Sequence, residues 1–347
     1  MKKIVGTAMI IILMGGMIAC TDVQGDGLYT VIWEGSVVPQ DSCYRNPVWD
    51  PDLTYPTVFK AAVGYYAFGA DSEWSPGLVN TAPVLSSSDL MSWRIRGEAF
   101  QEKPSWSGGS ITSISAGFAK TKGTYFIFYE LDGAGIGMGA SKAPQGPFAD
   151  FGLLLDAGSA GLSQCANPFF FAFGSKAYLF FQGGDGMYGQ EVALNKNALA
   201  TLKGDAFKVT GPSVRSMNMI KIDNYYYLFG GVEDGDNSRI TLGRSMEITG
   251  PFLDQEGQNL INGEGTLLLK GNPENGFVAT SHVGGVFEDA IEDLWLVYQA
   301  VDVDQPTLST GADRYPLLLS RIEFDETGWP VKVYEAMGGW NHPLFAK

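Results

Sequence analysis

YYYLF at residues 225–229 is one of five short aromatic segments that decide the fold of this chain. The others read GYYAF (64–68), YFIFY (125–129), YLFF (178–181) and LWLVY (294–298). Most follow a turn signal, namely Lys122-Gly123, Gly174-Ser175, Asp223-Asn224 or Glu292-Asp293. Short continuous apolar runs rich in Tyr, Phe and Val are typical of buried strands. Their recurrence at intervals of roughly 50 to 70 residues indicates the blades of a β-propeller.

A second segment repeats behind the aromatic strands and ends in turn residues. It reads SDLMSW at 88–93, SKAPQGPF at 141–148 and SMEITGPF at 245–252, with a weaker copy in SRIEF at 320–324 and GWP at 328–330. Each copy indicates an outer strand that turns on Gly-Pro or Asp-Leu. No amphipathic segment of helix length competes with this pattern. The sequence therefore predicts an all-β chain folded as a five-bladed β-propeller, with a pair of β-sandwiches as the alternative.

The first twenty residues have the pattern of a secretory signal. Lys2 and Lys3 precede an apolar run that starts at Ile4, and small residues come before Cys20. The tetrapeptide Met-Ile-Ala-Cys at 17–20 resembles the lipobox of bacterial lipoproteins, in which the cysteine is lipidated and becomes the first residue. A plain signal peptide or a transmembrane helix is the alternative, although the apolar run is short for a membrane span.

This interpretation divides the chain into three parts. We expect a lipoprotein signal peptide at 1–19, a tether and first strand at 20–40, and a single propeller domain at 41–347. The protein would then lie in the cell envelope, held by lipid in the outer membrane, on its periplasmic or surface face. We expect a monomer that meets the membrane only through this anchor.

The acidity of the chain limits its partners. Its formal net charge is −15, which excludes nucleic acid as a natural partner. The 45 glycines, 17 prolines and 13% aromatic residues fit many short strands joined by tight turns. Besides Cys20 there are only Cys43 and Cys165, which either pair in an oxidising compartment or remain two buried thiols.

Further short motifs run in order along nearly the whole chain after Cys20. They are RNPV (45–48), PTV (56–58), LSSSDL (85–90) with Trp93, KPSW (103–106), GMGAS (137–141), GPF (146–148), GRS (243–245), ITGPFLD (248–254), GEGT (263–266) and GWPV (328–331). Each motif alone is unspecific, but together they resemble glycoside hydrolase family 43 and, within it, the arabinanase-like branch. The resemblance implies a five-bladed propeller that hydrolyses glycosidic bonds in arabinan or arabinoxylan.

The inverting mechanism that this resemblance implies needs three carboxylates at the central funnel. A base activates water, an acid protonates the leaving oxygen, and a third carboxylate tunes the acid. At the family positions this sequence has Tyr55, Gly117 and Arg215, and a shifted register puts Thr210 in place of Arg215. Where the family carries Ile-Asp-Pro in the third blade, Asn167 replaces the aspartate. This register makes the inner strands begin near Pro56, Gly117, Asn167, Arg215 and His282.

Shifting the alignment of this sequence with the family motifs by a few residues does not bring an Asp or Glu to the second or third catalytic position. No Asp or Glu lies between Glu102 and Glu130 or between Asp205 and Asp223. Because each lost group contributes about 10²–10⁴-fold in rate, the departures predict negligible hydrolysis of the family type. The candidate stand-ins, of which Glu130 is the first choice in the funnel, are Asp50, Asp52, Glu130, Asp132 and Asp185.

The residues left at the predicted funnel suit contact with a sugar better than its cleavage. Aromatic rings stack on the C–H faces of sugars, and a guanidinium hydrogen-bonds hydroxyls or a uronate. The candidate ligand-binding residues are Trp49, Tyr55, Trp74, Trp106, Asn167 and Arg215. His282 falls where the resemblance places a funnel-centre histidine associated with Ca²⁺, the one cofactor that the sequence suggests, and a buried structural histidine is the alternative.

Three functions are compatible with these residues. The first is a surface lipoprotein that engages plant-type polysaccharide, arabinan or arabinoxylan, in a binding or accessory role. The second is an active inverting glycoside hydrolase of the arabinanase, arabinofuranosidase or xylosidase type with relocated carboxylates. The third is a scaffold for a partner protein, which no basic, heptad or low-complexity segment supports.

Overall fold

The computed structural model describes residues 43–195 and 199–334, together with three short strands near the amino terminus. Those strands are β1 (Asp22–Gly25), β2 (Leu28–Trp33) and β3 (Ser36–Pro39), and they pair antiparallel in that order. These three strands lie within the segment 20–40, for which the sequence predicted a tether and a first strand. The predicted signal peptide at 1–19 and the predicted lipidation site, Cys20, lie outside the described residues.

Five four-stranded antiparallel sheets follow. Blade 1 has β4 (Thr57–Ala61) and β5 (Gly64–Phe68), then an inserted hairpin of β6 (Ser72–Ser75) and β7 (Leu78–Asn80), then β8 (Pro83–Ser87) and β9 (Arg94–Glu98). Blade 2 has β10 (Ile111–Ala119), β11 (Thr124–Leu131), β12 (Ile136–Ser141) and β13 (Ala149–Leu155). The short helix α1 (Ala157–Ala160) leads to blade 3, which has β14 (Ala166–Phe173), β15 (Lys176–Gln182), β16 (Met187–Leu194) and β17 (Ala200–Lys208).

The last two blades complete the architecture. Blade 4 has β18 (Val214–Ile222), β19 (Tyr225–Val232), β20 (Arg239–Ser245) and β21 (Thr266–Lys270), and a 3₁₀ turn follows at Pro273–Asn275. Two short paired strands, β22 (Phe277–Val278) and β25 (Val301–Asp302), flank the start of blade 5. Blade 5 has β23 (Val283–Glu288), β24 (Leu294–Gln299), β26 (Leu317–Phe324) and β27 (Pro330–Tyr334). No described helix is long and apolar enough to span a membrane.

The five inner strands close into a ring around the propeller axis. Strands β4, β10, β14, β18 and β23 each contact the next, and β23 returns to contact β4. Five clusters of buried side chains fill the five gaps between neighbouring blades. The predicted five-bladed propeller is therefore confirmed.

The aromatic repeat supplies the side chains that fill these gaps. In YLFF at 178–181, Tyr178 and Phe180 face the gap to blade 4, whereas Leu179 and Phe181 face the gap to blade 2. Successive side chains of a strand point to opposite faces, so a continuous apolar run is needed where both faces are covered. Burying one phenylalanine side chain in this way stabilises the fold by about 2 kcal/mol.

The predicted starts of the inner strands are correct within about one residue in four blades and wrong in blade 2. Strand β10 begins at Ile111, six residues before Gly117. The turn between β10 and β11, residues 120–123, is two residues longer than the turn between β18 and β19, residues 223–224, so the start of β10 lies further from its aromatic segment. Gly117 instead pairs with Phe126 in mid-strand, where an added Cβ would lie 2.9 Å from the ring of Phe170.

The two cysteines of the propeller remain separate thiols. Cys43 and Cys165 are both buried and form no disulfide. Burial raises the pKa of the Cys165 thiol to about 12. This thiol is therefore protonated and unreactive at neutral pH.

Candidate functional site

The inner strands all begin at one face of the propeller, and a cavity of about 400 Å³ opens there near the axis. We call it the central cleft. It is lined by Tyr55, Thr112, Glu130, Asp132, Gly133, Gln164, Ala166, Asn167, Gln182, Arg215 and Glu233. Two sets of residues form it, one at the start of the inner strands and one at the end of the second strands.

The first set, which we call the inner ring, has one residue per blade at or just before the inner strand. Its members are Tyr55, Thr112, Asn167, Arg215 and His282. Thr112 and Arg215 are equivalent, because each lies in the β-bulge at the start of its strand. Thr112, not Gly117, is thus the blade 2 member, which corrects the predicted site. The inner ring contains no Asp or Glu.

Two members of the inner ring have left-handed backbone conformations, with φ of 49° at Tyr55 and 45° at Asn167. Such conformations are uncommon for residues other than glycine and persist where their surroundings hold them. The amide of Tyr55 donates to Oε1 of Gln299 at 2.7 Å, and the amide of Asn167 donates to Oε2 of Glu130 at 3.1 Å. Side chains from the second strands therefore fix the inner-ring backbone.

The second ring consists of four residues that lie within one position of the last residue of the second strand in blades 2 to 5. They are Glu130, Gln182, Glu233 and Gln299. Glu130 is buried, and besides the amide of Asn167 its Oε2 accepts a hydrogen bond from Ser113 Oγ at 2.8 Å. Asn167 in turn donates Nδ2 to Gln182 Oε1 at 3.1 Å and to the carbonyl of Arg215 at 3.0 Å. These bonds tie blades 2, 3 and 4 together around the cleft.

Glu233 is a cleft residue that the sequence-based predictions missed. It is exposed, and its Oε1 accepts a hydrogen bond from the phenol of Tyr55 at 3.1 Å. Like Glu130, it is an acidic residue that comes shortly after an aromatic segment, and this position could have identified it from the sequence. It was missed because the number of residues between the aromatic segment and the acidic residue differs between blades 2 and 4.

Tyr55 and His282 pack edge to face, with ring centroids 5.1 Å apart. Burial lowers the pKa of His282 to about 4, so the imidazole is neutral at pH 7. It hydrogen-bonds the backbone of Pro56, and its buried Nδ1 has no partner among the described residues. Burial and the neighbouring Glu233 raise the pKa of Tyr55 well above its usual value, so the phenol stays protonated.

The side chains around His282 do not fit the Ca²⁺ site that the family resemblance suggested. Calcium takes six to eight oxygen ligands in proteins, typically with several carboxylates. In residues 43–195 and 199–334, no group of three or more His, Cys, Asp or Glu side chains is placed to hold a metal. The described side chains therefore offer no carboxylate ligand for a cation beside His282.

Arg215 is exposed at the edge of the central cleft. Its guanidinium forms no ion pair within the described part of the chain. A second cavity of about 270 Å³ adjoins the cleft and shares Arg215 and Glu233 as its wall, with Arg239 and Glu264 on its far side. The two cavities form a polar groove that runs from the axis over blade 4.

Asp50 and Asp52, the predicted stand-ins upstream of Tyr55, do not line the cleft. Asp50 pairs with Arg314 at 2.7 Å. Asp52 is fully buried, accepts hydrogen bonds from Thr54 Oγ1 at 3.0 Å and from the amide of Tyr315 at 2.8 Å, and has its pKa raised by burial. Both carboxylates hold the loop before β4 in place.

The other stand-ins divide between the cleft and the outer surface. Glu130 and Asp132 line the cleft. Asp185 lies outside it, exposed, in an ion pair with Lys208 at 2.7 Å that lowers its pKa. Among the described acids, the cleft is thus lined by Glu130, Asp132 and Glu233.

Three of the six predicted ligand-binding residues, Tyr55, Asn167 and Arg215, line the cleft, and the three tryptophans do not. Trp49 and Trp74 pack against each other, with ring centroids 5.8 Å apart, beside the hairpin inserted in blade 1. Trp106 packs in the gap between blades 1 and 2, and its Nε1 donates to the hydroxyl of Tyr129 at 2.8 Å. All three tryptophans therefore lie outside the lining of the central cleft.

Comparison with known proteins gives a consistent result. A family model described as glycosyl hydrolases family 43 matches residues 44–330. The extracellular endo-α-(1→5)-L-arabinanase 1 of Bacillus subtilis is 27% identical over 299 residues, which cover 79% of this chain and 86% of that protein. The extracellular exo-α-(1→5)-L-arabinofuranosidase ArbA of Cellvibrio japonicus is 23% identical over 322 residues, which cover 80% and 86%.

Solved structures match over a similar extent. The α-L-arabinanase of Cellvibrio cellulosa in complex with arabinohexaose has a TM-score of 0.65 at 21% identity, and the match covers 82% of this chain and 96% of that one. A family 43 endo-arabinanase of Bacillus licheniformis has a TM-score of 0.64 at 23% identity, with 82% and 98% covered. At these identities the structural matches show a shared fold.

Proposed function

The chain belongs to the glycosyl hydrolases of family 43, and on that premise we propose that it binds arabinan-type polysaccharide in the central cleft without hydrolysing it. The names of the two curated relatives and the arabinohexaose bound to a third protein refer to arabinose-based glycans, which supports the ligand class. Arabinoxylan is the related polymer that the same cleft would accept. The proposed role is accessory, as a glycan-binding member of an enzyme family.

The observation that carries this proposal is the inner ring without carboxylates. Hydrolysis needs one group that takes a proton from water and another that gives a proton to the leaving oxygen. Threonine and asparagine cannot do either near neutral pH, and arginine keeps its proton. Tyr55 holds its proton because its pKa is raised, and His282, with a pKa of about 4, carries none to give at pH 7.

The same residues are suited to holding a sugar. The half-buried ring of Tyr55 offers an apolar surface, and the exposed guanidinium of Arg215, which has no ion-pair partner in the described part of the chain, offers planar donors for hydroxyls. Both amide protons of Asn167 are engaged, which leaves its Oδ1 as an acceptor for a ligand hydroxyl.

Binding is tested by titrating arabinohexaose into the protein in a calorimeter and by its retention on an arabinan-containing gel. We expect Tyr55→Ala to weaken binding by about fivefold, because one aromatic contact contributes on the order of 1 kcal/mol. Arg215→Ala should weaken it several-fold. The matched control is Phe151→Ala, which removes an exposed ring from the outer strand of blade 2. Equal losses in the control, or no binding by the parent, would refute the proposed cleft.

A second candidate function rests on one observation, the presence of Glu130 and Glu233 in the same cleft. Two carboxylates that face one sugar are the minimum for an inverting glycoside hydrolase with relocated groups. The hydrogen bonds weigh against this function, because Glu130 already holds Ser113 and the amide of Asn167. Glu233 is engaged by the phenol of Tyr55.

We also propose that the protein is exported, cleaved before Cys20 and lipidated at that cysteine, which anchors it in the cell envelope. The lipobox-like residues 17–20 support this, and two of the relatives are named as extracellular. Cys20→Ser should leave the protein exported but release it from the membrane fraction. A variant that still sediments with membranes as the parent does would refute the anchor.

A further inference from the structure

The face opposite the central cleft, where the inner strands end, carries a larger cavity. Its volume is about 630 Å³, and its walls are the turn after β10, the turn after β14 and the facing ends of β16 and β17. We call it the basal notch. Strand β10 runs from one face to the other over nine residues, so the notch and the central cleft lie roughly 25 Å apart. The two cavities therefore do not share a ligand-binding wall.

Small side chains create the notch in the gap between blades 2 and 3. Ala119, Ala172 and Ala177 line it and belong to, or pack against, the buried cluster of that gap. In the gap between blades 3 and 4, large rings fill the corresponding space, where Phe171 meets Tyr226 with centroids 6.3 Å apart. Alanine leaves an apolar floor below the protein surface here.

The rim of the notch is positively charged in a chain whose net charge is −15. Four lysines and one glutamate line it. The glutamate, Glu191, is paired with Lys203 at 3.1 Å. Lys120, Lys122 and Lys176 are exposed, and none of them has an ion-pair partner within the described residues. Charge complementarity therefore favours an anionic ligand at this position.

We propose that the basal notch binds an acidic polysaccharide segment, a short run of uronate sugars. Each uronate ring has an apolar C–H face, which suits the alanine floor, and one carboxylate, which suits a lysine on the rim. A chain of such sugars presents carboxylates in a row, so it can meet several of the lysines at once. The notch would give the protein a second glycan contact, independent of the neutral sugar proposed for the central cleft.

The shape of the notch favours a sugar chain over a membrane surface. A bilayer binds apolar side chains that protrude into it, flanked by cations. Here the alanines form a recessed floor, and the lysines stand around it. Two exposed rings also belong to the lining, but Phe118 packs against Tyr125 and Phe173 stacks on Phe171, so both lie against their own strands. A sugar ring or a narrow chain can reach a recessed floor, whereas a flat lipid surface cannot contact it.

The test uses trigalacturonate as the probe, titrated calorimetrically into the intact protein at low ionic strength. The triple variant Lys120→Gln/Lys122→Gln/Lys176→Gln should weaken binding by about tenfold, because each exposed ion pair contributes a modest amount and three are lost. Ala172→Leu, which fills the floor without changing charge, should weaken it several-fold. The control is Lys270→Gln, an exposed lysine on the outer strand of blade 4. Added salt should weaken binding by the parent.

The proposal is supported if trigalacturonate binds the parent and the Lys270→Gln control alike but binds both notch variants weakly. Unchanged binding of arabinohexaose by the triple variant shows that the fold and the central cleft are intact, so this test and that of the proposed function fail separately. Absence of trigalacturonate binding by the parent overturns the proposal. Equal weakening by Lys270→Gln, or binding of vesicles with anionic lipid but not of trigalacturonate, overturns it as well.

Discussion

The two rings around the central cleft lie side by side and differ in composition. The inner ring has no carboxylate, whereas the second ring has Glu130 and Glu233 along with two glutamines. The second ring holds the inner-ring backbone, since Glu130 accepts from the amide of Asn167 and Gln299 accepts from that of Tyr55. Four of the five inner-ring residues, all except His282, line the cleft. Under the proposed function, the catalytic chemistry of the family is absent from the inner ring, whereas the second ring that supports the inner-ring backbone is retained.

The largest expected effect separates the two glutamates of the second ring. Glu130→Ala should lower the free energy of unfolding by about 2 to 5 kcal/mol, because it leaves the hydroxyl of Ser113 and the amide of Asn167 without their acceptor in a buried site. Glu233→Ala should change it by less than about 0.5 kcal/mol, since Glu233 is exposed. Urea unfolding of both variants and the parent measures the difference. Equal effects would show that Glu130 does not support the inner ring.

The pH dependence of stability tests whether His282 lacks a partner in the second ring. Its pKa is about 4 in the folded protein and about 6.5 when unfolded, so the unfolded chain takes up the proton first as pH falls. Stability is therefore lost between pH 6.5 and 4, by about 2 to 3 kcal/mol at pH 4.5. His282→Gln should lose less stability than the parent over this range. A parent that gains stability from His282 on acidification would imply a carboxylate partner.

Gln299 links the second ring to the inner ring, and we expect its removal to have a smaller effect on stability than the removal of Glu130. Gln299→Ala removes the acceptor for the amide of Tyr55 and a hydrogen bond to Ser281. We expect a loss of about 1 to 2 kcal/mol in stability and a few-fold loss in arabinohexaose affinity, because Tyr55 is no longer held in its left-handed conformation. Calorimetry and urea unfolding on the same sample measure both. Unchanged affinity would mean that the position of Tyr55 does not depend on the second ring.

The sequence was sufficient for the blades but not for every residue of the site. Aromatic runs must recur where both faces of a strand are covered, so segments such as 178–181 predicted the architecture. The turn after β10 is longer than the turn after β18, so the distance from an aromatic segment back to its inner-ring residue differs between blades, and Gly117 was predicted in place of Thr112. Glu233 was missed because strand length varies between blades. The basal notch exists because three alanine side chains are too small to fill the space between blades 2 and 3. The sequence does not show which alanines face one another, so the notch could not be predicted from it.

Sugar release by the parent protein tests most directly whether the central cleft binds its glycan without cutting it. Parent protein at micromolar concentration is incubated with arabinohexaose and with arabinan, and products are followed by mass spectrometry alongside calorimetric binding of the same ligand. We predict binding with no release above the protein-free blank. Release by the parent that Glu130→Gln or Glu233→Gln abolishes, while binding persists, would contradict this prediction and would assign catalysis to the second ring.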